Sequence, residues 1–397
     1  MFTAGDTELA DLVHRLRTRE RAQVVVAASE LELANNVRIA EATRGIDVIL
    51  SADMHELTRE PIVASTGTVI VEEGQDGAVV GELTLDVERG VVARWRWRLH
   101  DVTDSVPENP RAARAVATAR RRFRAGSAFD PRLTNPISEA PLGAPIDQIV
   151  GYTTVDLHRS NPSDRPIPAV LEGSSHDLLA DALRVASGAD VALLRGFRFG
   201  THVRRGPITR EDLYHFLPIG AQVAVVDSVP GRVIRRQLES SFDGALDPDP
   251  RQWTGGWFVG VSGITLDVDP YGRDGWRVRN VQVNGVPLDT TGATRYSVAG
   301  LWFPSEPDAV SNCVPCVSTG AGMRTISVRT GGREDAVEVV AGYLASLRDS
   351  TVSPGVGRVR LLKPLPRPRF RFEEIQPLHG ALPRAEPAGQ TPRETRH

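Results

Sequence analysis

Two short apolar runs flank an amphipathic segment near the start of this chain. Val24-Val25-Val26 and Val48-Ile49-Leu50 enclose residues 34–44, whose apolar side chains recur at helical spacing, and Gly45 suits a helix C-cap. Strand, helix and strand at this interval make a βαβ unit with parallel strands. Residues 8–16 predict a further helix ahead of it. Beyond Ser51 the period changes to two. Thr68-Val69-Ile70-Val71, Gly81-Glu82-Leu83-Thr84-Leu85 and Arg94-Trp95-Arg96-Trp97-Arg98 read as an antiparallel meander. This region predicts half of a mixed α/β sandwich.

Capping chemistry marks the next element. Asn109 suits an N-cap, Pro110 suits the first helical turn and Gly126 suits the end, which predicts one exposed linking helix over 110–125. Its arginines Arg120, Arg121, Arg122 and Arg124 form either a nucleic-acid patch or a solvated helix face. A second domain begins near Ile146, with helices near 175–186 and 232–242 and strands near 190–194, 222–227 and 263–269. Thr209, three residues before Asp212, predicts the cap of a short helix. After Pro364 the chain is Pro-rich and loses periodicity, which predicts a flexible tail.

Charge narrows the partners. Lys plus Arg number 47 against 50 Asp plus Glu, a net charge of -3, so no overall field draws the chain to nucleic acid or to an anionic membrane. No window reaches the roughly 18 consecutive apolar residues of a membrane span. The start lacks the basic and apolar regions of a signal peptide. Cys313 and Cys316 stand in one Cys-Val-Pro-Cys run, the spacing of a local disulfide, a redox pair or half a metal site.

Ligands of open α/β sheets bind beyond the carboxyl ends of parallel strands. The residues there are Ser29-Glu30 after the first run and Ser51-Ala52-Asp53-Met54-His55-Glu56 after the second. Glu30, Asp53 and His55 offer hard oxygens and one imidazole, a donor set for Mn, Mg, Fe or Zn. The alternative reading is surface loops and helix caps.

Three segments carry a family resemblance. Gly45-Ile46-Asp47-Val48-Ile49-Leu50 with its His-containing loop, Gly67-Thr68-Val69-Ile70-Val71-Glu72-Glu73-Gly74, and Val80-Gly81-Glu82-Leu83 resemble the calcineurin-like metallophosphoesterase domain of the 5'-nucleotidase family. The resemblance continues into that family's C-terminal substrate domain and covers roughly residues 20–360. It implies the C-terminal half of a metallophosphoesterase α/β sandwich over 1–105 and a linking helix and connector over 106–145. It further implies an α+β 5'-nucleotidase C-terminal domain over 146–363, followed by the tail 364–397. The family's two loops read Ser-His and Gly-His-x-His; the matching residues here are Ser29-Glu30 and Ala52-Asp53-Met54-His55. On this resemblance Glu30, Asp53 and His55 hold a divalent metal, Mn or Zn. The family's Asp-x-His and Gly-Asn-His motifs have no counterpart ahead of this region, so the chain is expected to be N-terminally truncated, with the other half supplied by a missing segment or a partner chain.

In the second domain, Leu194-Arg195-Gly196-Phe197-Arg198-Phe199-Gly200-Thr201 is similar to the Phe-Arg-Trp-Gly-Thr loop of the thiosulfohydrolases of bacterial sulfur oxidation. The likeness implies that Arg198 binds an oxyanion through its planar fork, beside Phe199 and Gly200. Gly255-Gly256-Trp257-Phe258 is similar to the family's pocket strand, where Trp257 and Phe258 either stack on a ligand or pack in the core. His176, Asp177 and Asp181 read as caps and packing groups, and His158, His202 and His215 as isolated histidines. The implied activity is a metal-dependent hydrolase acting on a phosphate ester, a nucleotide or a sulfur oxyanion ester. The alternative is a non-catalytic oxyanion-binding or scaffold protein. By resemblance the compartment is the periplasm, and the partner is a small anionic substrate.

Overall fold

The computed structural model describes residues 6–52, 57–74, 77, 79–103, 105–157, 171–195, 203–246, 258–273, 275–327 and 334–363. The chain divides into two compact units, the first built chiefly from Met1–Ser105 and the second from Val106–Asp243 with Gly256–Leu365. The predicted tail lies outside the described residues.

The first unit runs α1 (Asp6–Thr18), β1 (Val26–Ser29), α2 (Glu32–Ala42), β2 (Val48–Ser51), β3 (Ile62–Val63), β4 (Val69–Val71), β5 (Val79–Glu88) and β6 (Val91–Asp101). β1, α2 and β2 form the expected βαβ unit, with Val26 opposite Val48 and Ser29 opposite Ser51. The sheet order is β1-β2-β4-β3. On one face Val13, Val37 and Ala40 of the helices bury Ile49, Ile62 and Ile70. On the other, Trp97, Leu83, Leu85, Trp95 and Leu99 pack onto Val48, Val69 and Val71.

The predicted meander is corrected here. β4 pairs parallel with β2, Ile70 opposite Ile49, and antiparallel with β3, while β5 and β6 form an antiparallel hairpin of their own. All three residues of β4 are buried, as in a strand covered on both faces, whereas β5 and β6 carry an exposed side. Gly81 lies beneath the indole of Trp97, where a Cβ would come within 2.1 Å of the ring.

The second unit runs α3 (Pro110–Arg120), β7 (Ile149–Thr153), α4 (Ser174–Ser187), β8 (Val191–Leu194), β9 (Gly206–Thr209), α5 (Arg210–Phe216), β10 (Gln222–Pro230) and α6 (Gly231–Leu246). It continues through β11 (Gly260–Ser262), β12 (Ile264–Val268), β13 (Val278–Val283), β14 (Val286–Pro287), β15 (Arg295–Trp302), α7 (Val314–Thr319), β16 (Met323–Ile326), α8 (Ala336–Ser346), β17 (Thr351–Val352) and β18 (Val359–Leu361). Its main sheet has the order β11-β8-β15-β10-β16. Leu178, Leu179 and Leu183 of α4 and Val337, Val340 and Leu344 of α8 share one core with Leu194, Val223, Val225 and Leu301 of this sheet.

Asn109 caps α3 as read, accepting from the N–H groups of Arg111 and Ala112, but the helix stops at Arg120 rather than at residue 125. The chain turns there because Phe123 donates to Arg120 O and the Asp147 carboxylate takes the N–H of Ala125. Three arginines of the run meet carboxylates: Arg120 pairs with Glu211, Arg122 lies 3.8 Å from Asp130 and Arg124 3.3 Å from Asp147. Thr209 and Asp212 form a reciprocal capping box on α5. Cys313 and Cys316 are joined as a disulfide and are fully buried. Their sulfurs are spent in that bond, and the Cys313 sulfur also accepts from Cys316 N.

Candidate functional site

Strand register builds one edge of the main sheet in the second unit. β8 and β15 run parallel, with Leu193 opposite Gly300, and β11 runs antiparallel to β8, with Gly260 opposite Leu194. β10 runs antiparallel to β15, with Gln222 opposite Trp302. The chain therefore leaves β8 at Arg195, approaches β11 through Phe258 and leaves β15 at Phe303, all at the same edge. Gly300 is required by close approach, since a Cβ there would lie 2.6 Å from Ser311 Oγ and 2.9 Å from Leu193 O.

Arg195 is a cation at this edge. Its guanidinium stands 5.7 Å from the centre of the Phe303 ring, and its Nη1 is 3.4 Å from Glu306. Phe258 is 2% exposed and meets Phe242 of α6 edge to face, with ring centres 6.5 Å apart. A ring so placed packs in the core. Arg198, Phe199, Gly200 and Trp257 lie outside the described residues, as do His158 and His202. His215 is exposed in the last turn of α5.

The carboxyl ends of the parallel strands in the first unit carry a chain of buried polar groups. Ser29 Oγ donates to Asn36 Oδ1 at 2.6 Å, Asn36 Nδ2 donates to Ser51 Oγ at 2.9 Å, and Ser51 Oγ donates to Glu72 Oε2 at 2.7 Å. Asn36 and Glu72 are missed by the sequence reading; their signal, polar residues within buried apolar stretches, becomes legible only once β1, β2 and β4 are aligned. Glu30 follows Ser29 at the same edge as Ala52, whose N–H donates to Ser29 O at 2.9 Å, and Glu30 is exposed. Asp53 and His55 lie outside the described residues.

Of the three residues that the resemblance assigns to a divalent metal, Glu30 alone lies among the described residues. Among the described residues no three His, Cys, Asp or Glu side chains gather as a metal site. Glu72, the buried carboxylate at this edge, already accepts from Ser51.

A buried acidic cluster holds the start of α4. Glu172 accepts from the N–H groups of Gly357 and Arg358 through Oε1 and of Val359 through Oε2. Arg358 Nη2 donates to Asp181 Oδ2 at 2.7 Å, and Asp181 Oδ1 accepts from Ser262 at 2.5 Å. Burial, with lesser help from Glu172 and Asp181, pushes the Asp177 carboxyl up to about 9 against the opposing pull of Arg358. Gly173, not His176 or Asp177, is the N-cap of α4.

A cavity of about 490 Å³ opens between β7 and α8, lined in part by Gln148, Tyr152, Arg210, Glu334 and Glu338. Arg210 pairs with Glu338 and donates to Gln148, so the cavity holds no net positive charge for an anion. The Arg195 edge is the better candidate.

Residues 149–308 match the family model of the 5'-nucleotidase, C-terminal domain. This segment is similar to that domain. It contains α4, β8, β10, β11 and β15, and hence the Arg195 edge. Among solved structures, the chain is similar to Thermus thermophilus sulfate thiohydrolase SoxB, with a TM-score of 0.69 and 22% identity over 91% of this chain and 59% of that one. It is also similar to a 5'-nucleotidase precursor from Thermus thermophilus, with a TM-score of 0.67 and 20% identity over 91% of this chain and 68% of that one. These likenesses establish the fold. The trifunctional nucleotide phosphoesterase protein YfkN of Bacillus subtilis is 21% identical over 276 residues, which are 68% of this chain. The match spans only 17% of that relative's length.

Proposed function

We propose that the chain is a hydrolase of the 5'-nucleotidase family, active once further metal donors join Glu30, Asp53 and His55, and that its C-terminal domain holds a small anionic substrate. The substrate class is a phosphate ester, a nucleotide or a sulfur oxyanion ester. Arg198 takes the oxyanion through two parallel N–H donors, with Phe199, Gly200 and Trp257 shaping the approach. One observation supports this reading: the register of β8, β11 and β15 brings the end of β8, which precedes Arg198, and the start of β11, which follows Trp257, to one sheet edge within the matched segment. Glu30, Asp53 and His55 are the proposed donors for a divalent ion, Mn or Zn, at the edge of the first unit.

A second reading is a non-catalytic oxyanion-binding or scaffold protein. In both readings Arg198 is the anchor.

The test is calorimetric titration of sulfate, phosphate and thiosulfate into wild type, Arg198→Lys and Arg198→Ala, with melting temperatures from the same samples. Arg198→Ala is expected to weaken anion binding by about 1.5 to 3 kcal/mol, the worth of a charged hydrogen bond. Arg198→Lys is expected to weaken it as well, since an ammonium lacks the fork. Unchanged affinity with a lowered melting temperature would return Arg198 to the scaffold.

A further inference from the structure

We propose that the face of α3 carrying Arg111, Arg114 and Arg121 is a docking surface for the phosphodiester backbone of nucleic acid. It stands apart from the oxyanion reading of Arg198 and uses none of its residues.

The charge of this segment is set by the sequence. Residues 109–129 hold six arginines and no Asp or Glu, although the whole chain carries a net charge of -3. Three of the six meet carboxylates from outside the segment: Arg120 with Glu211, Arg122 with Asp130 and Arg124 with Asp147. Arg111, Arg114 and Arg121 make no ion pair with any described residue, and all three are exposed.

The helical period gathers these three on one face. At about 100° per residue, Arg114 and Arg121 fall within roughly 80° of Arg111, with Thr118 inside the same arc. The rise of the helix spreads the stripe over about 15 Å. A row of cations of that length answers a repeated anion rather than a single one, and each planar fork matches two phosphate oxygens.

The stripe works against the helix that bears it. α3 has 11 residues and none is buried, so no packed face supports a helix too short to be stable alone. Its first turn holds Arg111 and no acidic residue, the wrong sign for the positive end of the helix dipole. Arg111 and Arg114 stand three positions apart, where like charges repel. The Asn109 cap and the pair of Arg120 with Glu211 hold the two ends without neutralising the stripe. A polyanion laid along this face removes the repulsion.

An anionic membrane fits this face less well. Beside the stripe lie Ala112, Ala115, Val116 and Ala119, without the Trp, Phe or Leu that anchors an interfacial helix in lipid.

The test follows the fluorescence anisotropy of a labelled oligothymidylate of about 20 nucleotides, titrated with the full chain at about 50 and 200 mM salt, with melting temperatures from the same samples. Three phosphate contacts on a single strand predict about a 20-fold loss of wild-type affinity between the two salt concentrations. The triple variant Arg111→Gln, Arg114→Gln, Arg121→Gln keeps a similar helix propensity. It is expected to bind at least about tenfold more weakly at the lower salt, with a melting temperature no lower than that of wild type. The corresponding triple lysine variant is expected to retain most of the binding, since it keeps the charge. No binding by wild type at the lower salt overturns the proposal, as does equal binding by the glutamine variant. Loss in both triple variants with lowered melting temperatures would make the arginines structural and overturn it as well. Binding to phosphatidylserine vesicles without binding to the oligonucleotide assigns the face to a membrane instead.

Discussion

Asp177 and Arg358 approach to 3.7 Å, yet the Asp177 carboxyl stays protonated at neutral pH. The guanidinium is committed elsewhere, to Asp181 and to the carbonyl of Val261, and Asp177 is 1% exposed beside a second carboxylate, Glu172. Desolvation therefore outweighs the nearby positive charge.

The consequence for stability has a definite sign. The native state holds a proton on Asp177 up to pH about 9, whereas the unfolded chain releases it near 3.8. Between these values the native state binds more protons, so stability falls as pH rises, by at most roughly 1.4 kcal/mol per pH unit, and levels off above the native value. Asp177→Asn keeps a neutral polar group and removes this slope. It is expected to be more stable than wild type at pH 8 by about 1 kcal/mol or more, with a smaller difference at pH 5. Urea melts at both pH values measure it, and a variant less stable than wild type at pH 8 contradicts the assignment.

Phe258 is expected to act through packing. Phe258→Ala should lose about 3 to 5 kcal/mol of stability, the cost of emptying an aromatic core site. Sulfate affinity should be unchanged under conditions where the variant is folded. A loss below about 1 kcal/mol together with weakened sulfate binding would move Phe258 from the core into the ligand site.

Manganese should do little for the 397-residue chain as a catalyst. Glu30, Asp53 and His55 amount to three donors, too few to clamp both the attacking and leaving oxygens with two ions. Turnover of a simple phosphate ester, followed with and without manganese, is expected to stay near background. Strong manganese-stimulated hydrolysis by the purified chain is the contrary result.

Local chemistry was well legible in the sequence. The caps at Asn109 and Thr209 appear where short-range hydrogen bonding put them, and the βαβ unit follows from two apolar runs and the helix between them. The place of β4 was not legible, because Val69-Ile70-Val71 has the same composition in a meander and in a parallel sheet, and only its pairing with β2 decides. Phe258 shows the same limit at a single residue. Glycines around an aromatic signal an open approach, but the direction of its ring depends on Phe242, sixteen positions away on another element. Asn36, Glu72 and Glu172 owe their roles to partners distant in sequence. The Arg195 edge lay between: its flanking strands could be read, while the approach of Glu306 to Arg195 became visible only when β15 was set beside β8.

Glu172 finally bears on the order in which the second unit can be completed during synthesis. Its three N–H partners lie 185 to 187 residues further along the chain, at the entry to β18. Until Val359 has left the ribosome, this carboxylate has no chain to hold and the first turn of α4 has no lid over its acidic side. The polar side of that turn is therefore completed only when this strand is made.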